Sequence, residues 1–205
     1  QADLSRLRYR PGMDTRLLER LAVKVSICLS NVTAHEKLKW FAWRDPLTGL
    51  LNRRVMEKVL QREYKRAVRY KTNLTVAFLD LDDFKAVNDR YGHDRGDDLL
   101  RYVAGVLVEL SRDRVVVSRY AGEEVVVILP SISTKDSLLL FLRLQDYFQK
   151  NPMDVEKEHI PVSISFGLSS VGDAGVNNPQ SLLRKADEML YSAKEQKKKD
   201  GFASA

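Results

Sequence analysis

The sequence predicts an α+β fold, a central antiparallel sheet flanked by helices and preceded by one long helix. Three observations lead there. Residues 75–81, 115–117, 125–129 and 162–168 are short apolar runs, rich in β-branched side chains and bounded by turn formers, as strands are. Helical three-and-four spacing of apolar residues falls between them, so that from 75 to 168 the order is strand, helix, strand, strand, helix, strand, the split βαβ order of a ferredoxin-like sheet. Residues 15–43 hold neither Gly nor Pro, which allows a single long helix.

In that first helix Leu18, Leu21, Val25, Cys28 and Val32 form a coiled-coil-like seam, and His35 and Lys39 then occupy seam positions and weaken it. A dimer stalk and an amphipathic helix packed on its own domain are both consistent with the pattern. Pro46 and Gly49 end the helix, which sets an expected division into residues 1–43 and 44–205. Asn52 is placed to cap a helix over 53–70 whose Met56, Val59, Leu60, Tyr64 and Ala67 share one face. The strand 75–81 is nearly continuously apolar, as a strand buried on both faces is, and ends in Asp80-Leu81-Asp82-Asp83. A short helix with Lys85, Asn88 and Asp89 follows, then a polar loop over 91–97, then a helix from Asp97 with Leu99, Leu100, Val103, Leu107 and Leu110 on its core side. Val115 opens a strand leading to a tight hairpin at Gly122. Ser133 caps a helix over 134–149, and Asn178-Pro179 opens the last helix, running to Lys194 or beyond.

The chain is 44% hydrophobic, enough for a single core. Its formal charge of +6 suits an anionic ligand, but Lys and Arg are interspersed with acids and no aromatic platform accompanies them, so no nucleic-acid partner is expected. Cys28 is the only cysteine, which rules out an intramolecular disulfide and fits a cytoplasmic protein. No run approaches the ~20 apolar residues of a membrane span. The first residue is Gln, as expected of a piece of a longer protein.

Glu123 and Glu124 stand side by side where the strand 125–129 begins. Paired carboxylates at such a place resist desolvation unless a cation or several donors compensate, although an exposed acidic hairpin tip is the alternative. In a split βαβ sheet the first strand lies antiparallel to the third, which brings the end of the first, at Asp80 and Asp82, next to Glu123 and Glu124. Oxygen ligands gathered in this way suit Mg²⁺ or Mn²⁺. Lys85 and Lys194 would supply positive charge for phosphates beside it, unless each is simply a solvated surface residue.

Five blocks carry a family resemblance: RDPLTGLLNRR at 44–54, FLDLDDFKAVNDRYGHDRGDDLL at 78–100, RYAGEEVVVILP at 119–130, VSISFGLS at 162–169 and ADEMLYSAK at 186–194. Together they resemble the GGDEF domain of diguanylate cyclases, which join two GTP into cyclic di-GMP on a palm-type sheet shared with nucleotidyl cyclases. The preceding helix resembles the exit helix of a GAF-like sensory domain. The resemblance implies metal ligation by Asp80, the Leu81 carbonyl, Glu123 and Glu124. It implies guanine recognition by Asn88 and Asp97, with His93 in the same nucleotide loop. Backbone N–H groups of Asp83 and Phe84 would face the phosphates together with Lys85, Lys194 and Lys198, and two such domains would act as a homodimer.

Three departures stand out. Ala121 replaces the first Gly of the signature and Val125 its Phe, and Lys198 stands where an Arg is usual, keeping charge without the guanidinium fork. At the family's product-inhibition site Arg112 is kept but Val115 replaces the Asp, which predicts weak feedback. Two functions follow as expectations: a Mg²⁺-dependent cyclase, or a catalytically weak domain that binds GTP or cyclic di-GMP and signals to a partner.

Overall fold

The computed structural model describes residues 16–109, 115–155 and 158–203. They form two compact units that divide at Trp43. The described residues of the first belong to helix α1 (Arg16–Trp43), whose last residue is counted with the second. Leu18, Leu21, Val25 and Val32 of the expected seam are exposed along it; the side chains of His35 and Lys39 lie outside the described residues.

The second unit is an α+β domain. Its strands are β1 (Leu51–Asn52), β2 (Leu74–Leu81), β3 (Val116–Ala121), β4 (Glu124–Pro130) and β7 (Ile164–Ser170), and they form one sheet in the order β1-β3-β4-β2-β7. β2 is antiparallel to both β4 and β7. A separate hairpin pairs β5 (Met153–Val155) with β6 (Glu158–Ile160). Two helical layers cover the sheet because side chains alternate along each strand. Ala77, Leu79, Leu81, Val125, Val127 and Leu129 pack with α4 (His93–Glu109) and α5 (Thr134–Lys150). Leu74, Val76, Phe78, Val126 and Ile128 pack with α2 (Arg53–Tyr70) and α6 (Pro179–Ala203). With both faces covered, every residue of β2 is buried. Removing a side chain such as Leu79 costs about 2–5 kcal/mol.

The caps stand where the sequence places them. Asn52 Oδ1 accepts from Val55 N at 3.1 Å, Ser133 Oγ from Asp136 N at 3.2 Å, and Asn178 Oδ1 from Ser181 N at 2.7 Å. Each satisfies a donor at a helix start.

Several boundaries differ. The polar stretch 91–97 is not a loop: α3 (Phe84–Tyr91) ends at Gly92, whose φ of 87° breaks the helix, and α4 starts at once with His93. The polar side chains there face solvent from a helical turn, and composition alone does not separate that from a loop. β3 begins at Val116, one residue after Val115, and β7 lies two residues later than expected because its end carries serines instead of apolar residues. β1, β5 and β6 are too short to leave a periodic signal.

Candidate active site at the end of β2

The carboxyl end of β2 meets the start of β4. Asp80 stands in register with Glu124 on β4 and with Ser165 on β7. Glu123 lies in the two-residue turn between β3 and β4, where Gly122 takes a φ of 45°, a left-handed conformation that suits glycine. α6 passes over this corner and lays two rungs across it. Lys194 Nζ is 2.5 Å from Asp80 Oδ1. One turn on, Lys197 Nζ is 2.5 Å from Asp82 Oδ2 and 2.8 Å from Ser163 Oγ. The hydroxyls of Ser163 and Ser165 also donate to Asp82, at 2.8 and 2.6 Å.

The two aspartates respond in opposite ways. Burial pushes the Asp80 carboxyl above the ordinary carboxylate range, and the charges of Glu123 and Asp82 add to that, so the single lysine does not offset them. Burial also acts on Asp82, but the hydrogen bonds from Lys197, Ser165 and Ser163 outweigh it and hold the carboxyl low. Glu124 is raised by burial and by the charges of Asp80, Asp187 and Glu123. Asp80 and Glu124 are therefore adjacent hard oxygen donors that disfavour each other's ionised form, a donor set that fits Mg²⁺ or Mn²⁺. Among the described residues no three His, Cys, Asp or Glu side chains form a ready-made cage; the cation presently on Asp80 is Lys194.

Beside these rungs lies a cleft of about 350 Å³ lined by Asp82, Asp83, Lys194, Lys197 and Lys198. Asp83 precedes α3 with a φ of 56° and makes no side-chain cap, so the first N–H groups of α3, from Phe84 on, have no capping side chain from it. Lys85 is exposed in the first turn of α3 and does not line this cleft. Asn88 is half-buried and packs directly on α4: a Cβ at Gly96 would lie 1.9 Å from Asn88 Oδ1. Asn88 is thus held one residue from the half-buried Asp97, while His93 is exposed at the start of α4.

The profile of the family described as "Diguanylate cyclase, GGDEF domain" matches residues 42–200. The chain belongs to the GGDEF family. It is 39% identical over 152 residues to the response regulator PleD of Caulobacter vibrioides, covering 73% of this chain and 33% of PleD. It is 35% identical over 153 residues to the diguanylate cyclase DgcP of Pseudomonas aeruginosa, covering 75% of this chain and 22% of DgcP. The chain therefore spans a third or less of these relatives. The coiled coil and GGDEF domain of DgcB from Caulobacter crescentus, solved in complex with c-di-GMP, superposes with a TM-score of 0.77 at 25% identity, covering 88% of this chain and 95% of that one. The diguanylate cyclase SiaD of Pseudomonas aeruginosa, solved with its activator SiaC, superposes with a TM-score of 0.71 at 31% identity, covering 88% and 69%.

Two of the departures of this GGDEF domain, Ala121 and Val125, are accommodated. Ala121 lies in β3 and only Gly122 carries the turn's positive φ, so a Cβ at 121 meets no backbone strain. Val125 is buried in the core. Of the two positions expected to correspond to a product-inhibition motif, Arg112 lies outside the described residues, and Val115 lines a cleft of about 420 Å³ that also holds Asp136 and Arg143.

Sequence reasoning missed four parts of this corner: Lys197, Ser163 with Ser165, Gly96, and the pairing of Asp45 with Arg119. Asp45 accepts from Thr48 N at 2.9 Å, Thr48 Oγ1 at 2.7 Å and Arg119 at 3.0 Å. Burial would raise its carboxyl, but these bonds hold it low. Arg119 Nε also donates to Gly122 O at 2.8 Å, which ties the turn after Trp43 to the Gly122-Glu123 turn. Only Lys197 left a usable signal, its three-residue spacing from Lys194 along one helix face.

Proposed function

We propose that this domain is a diguanylate cyclase: each 3′-hydroxyl of two GTP attacks the α-phosphate of the other, two O3′–P bonds form, two Pα–O bonds break and two pyrophosphates leave. One observation carries the reading, the register pairing of Asp80 with Glu124 beside the Gly122-Glu123 turn, under lysines from α6. Mg²⁺ or Mn²⁺ held by Asp80, the Leu81 carbonyl, Glu123 and Glu124 would lower the pKa of the attacking hydroxyl and offset charge on the α-phosphate. Lys194 and Lys198 bind the leaving phosphates, Lys85 adds positive charge from α3, and the N–H groups of Asp83 and Phe84 cradle the chain of phosphates. Guanine offers two donors and one acceptor on its Watson–Crick edge, which Asp97 and Asn88 read together, with His93 alongside.

One domain holds one GTP, so the bond forms between two domains that face each other. Within residues 1–43, the end of a sensory segment, the helix from Thr15 to Trp43 acts as the stalk of that homodimer, raising the local concentration of the second site, and residues 44–205 are the catalytic part. Among the described residues no helix is long and apolar enough to cross a membrane; use of GTP as substrate supports a cytoplasmic domain.

Incubation with GTP and Mg²⁺ followed by nucleotide separation tests the proposal. Cyclic di-GMP is expected, with a rate that climbs more steeply than linearly with protein concentration. No cyclic dinucleotide at high protein concentration would overturn it in favour of the second reading, a domain that binds GTP or cyclic di-GMP without turnover. That reading draws on Ala121, Val125 and the occupation of Asp80 by Lys194.

A further inference from the structure

We propose that Lys197 is a further triphosphate-binding lysine of this chain, beside Lys194 and Lys198 on α6, held at the cleft by Asp82 and Ser163; the inference rests on the GTP reading above and deepens it. Lys194, Lys197 and Lys198 stand at three-and-four spacing on α6 and all line the cleft of about 350 Å³. Their surroundings differ. Lys194 is committed to Asp80, and the ion-pair partner of Lys198 among the described residues is Glu195 of the same helix, at 3.7 Å. Lys197 alone is fixed from two sides by groups of the sheet edge, Asp82 Oδ2 at 2.5 Å and Ser163 Oγ at 2.8 Å.

Two consequences follow from that fixation. An ammonium has three N–H donors; Asp82 and Ser163 take two, and the third remains for an anion in the cleft. The cleft lining also carries two carboxylates, Asp82 and Asp83, against three lysines. Without Lys197 the lining would be neutral, and Asp82 would face an incoming phosphate uncompensated. Lys197 thus supplies one donor and the lining's positive balance together. Because its side chain is already ordered by the sheet, less rotamer freedom is lost on binding than for a free surface lysine. This offsets the missing fork at position 198, where a lysine grips phosphate at one point only.

The experiment is a titration of the full chain with GTP, GDP and GMP, with Ca²⁺ in place of Mg²⁺ to slow turnover, alongside thermal unfolding. Lys197→Met is compared with Lys197→Arg and with Lys199→Met, a loss of equal charge at an exposed residue outside the cleft lining. Lys197→Met is expected to weaken GTP about 10-fold or more and GDP less, and to leave GMP within about twofold, since charge-assisted bonds to phosphate are what it removes. Lys197→Arg should retain most of the affinity and Lys199→Met nearly all of it. Equal losses for Lys197→Met and Lys199→Met would reduce the effect to bulk charge and overturn the proposal. A lower melting temperature with the three affinities unchanged would make Lys197 a staple for α6 and overturn it as well. If the unmodified protein binds none of the three nucleotides, the GTP reading fails and this one fails with it.

Discussion

Asp80 and Asp82 lie two residues apart, almost equally buried, each with a lysine of α6 at 2.5 Å, yet their carboxyls shift in opposite directions. The difference lies in the remaining lone pairs. Asp82 also receives two serine hydroxyls from the strand edge, whereas Asp80 faces Glu124 and Glu123. A buried carboxylate with its acceptor sites filled holds a fold together, as Asp45 also does with Thr48 and Arg119. A buried carboxylate crowded by other acids is costly to keep unless a cation or substrate completes it, and such groups gather at functional sites. Asp80 and Glu124 are of the second kind.

The largest effect expected from this contrast is on turnover. Asp80→Asn keeps shape and removes charge, so cyclic di-GMP formation should fall about 1000-fold, the scale of several kcal/mol of lost transition-state stabilisation. Its melting temperature should stay level or rise, because the variant removes a desolvated, repelled charge. Retained activity measured by nucleotide separation would place the metal elsewhere. Asp97→Ala comes next. A guanine donor left without its acceptor should weaken GTP about 10- to 100-fold and reduce discrimination against ATP. Gly96→Ala tests the same recognition from the packing side, since its Cβ would displace Asn88; GTP should weaken about 10-fold with ATP little changed. Equal losses for both nucleotides would leave Asn88 and Asp97 as structural residues.

The fold was legible where pattern is dense. The buried strand β2, the capped helices α2 and α5 and the Asp80–Glu124 convergence follow from apolar runs, cap residues and strand order. The hidden parts have local causes. Lys197 sits in a lysine run that reads as a solvated tail, and only the path of α6 over the sheet edge gives it Asp82. Gly96 resembles a loop glycine until α3 is seen lying against it. Arg119 is one of many arginines in sequence, and its Nη1 bonds to both oxygens of Asp45 join residues 74 positions apart in the chain.

Asp82→Asn should have the opposite character to Asp80→Asn. It leaves Lys197 without its counter-charge and replaces an acceptor by an amide that cannot accept from both serines, a loss of about 1.5–3 kcal/mol of stability. Denaturant unfolding measures it. A variant as stable as the parent would break the comparison, because filled acceptor sites would then carry no stabilising weight.

The smallest effect is in the acid limb of the stability profile, where the two aspartates contribute with opposite sign. Asp82 has a folded-state pKa below its unfolded value. Its stabilisation is present above the unfolded value, about 3.9, and is lost as pH falls through the folded one. Asp45 behaves in the same way. Asp80 and Glu124 have folded-state pKa values above their unfolded ones, so their ionised forms subtract from stability at neutral pH, and that penalty lifts as pH falls through the raised values. The stability gap between parent and Asp82→Asn should therefore close only below about pH 4, whereas any gain from Asp80→Asn should already shrink on the way down to pH 4. Thermal unfolding of the parent and both variants between neutral pH and the onset of acid unfolding reads the two gaps directly. Parallel profiles would mean that these carboxylates keep their unfolded pKa values, and the contrast between the two rungs would then rest on geometry alone.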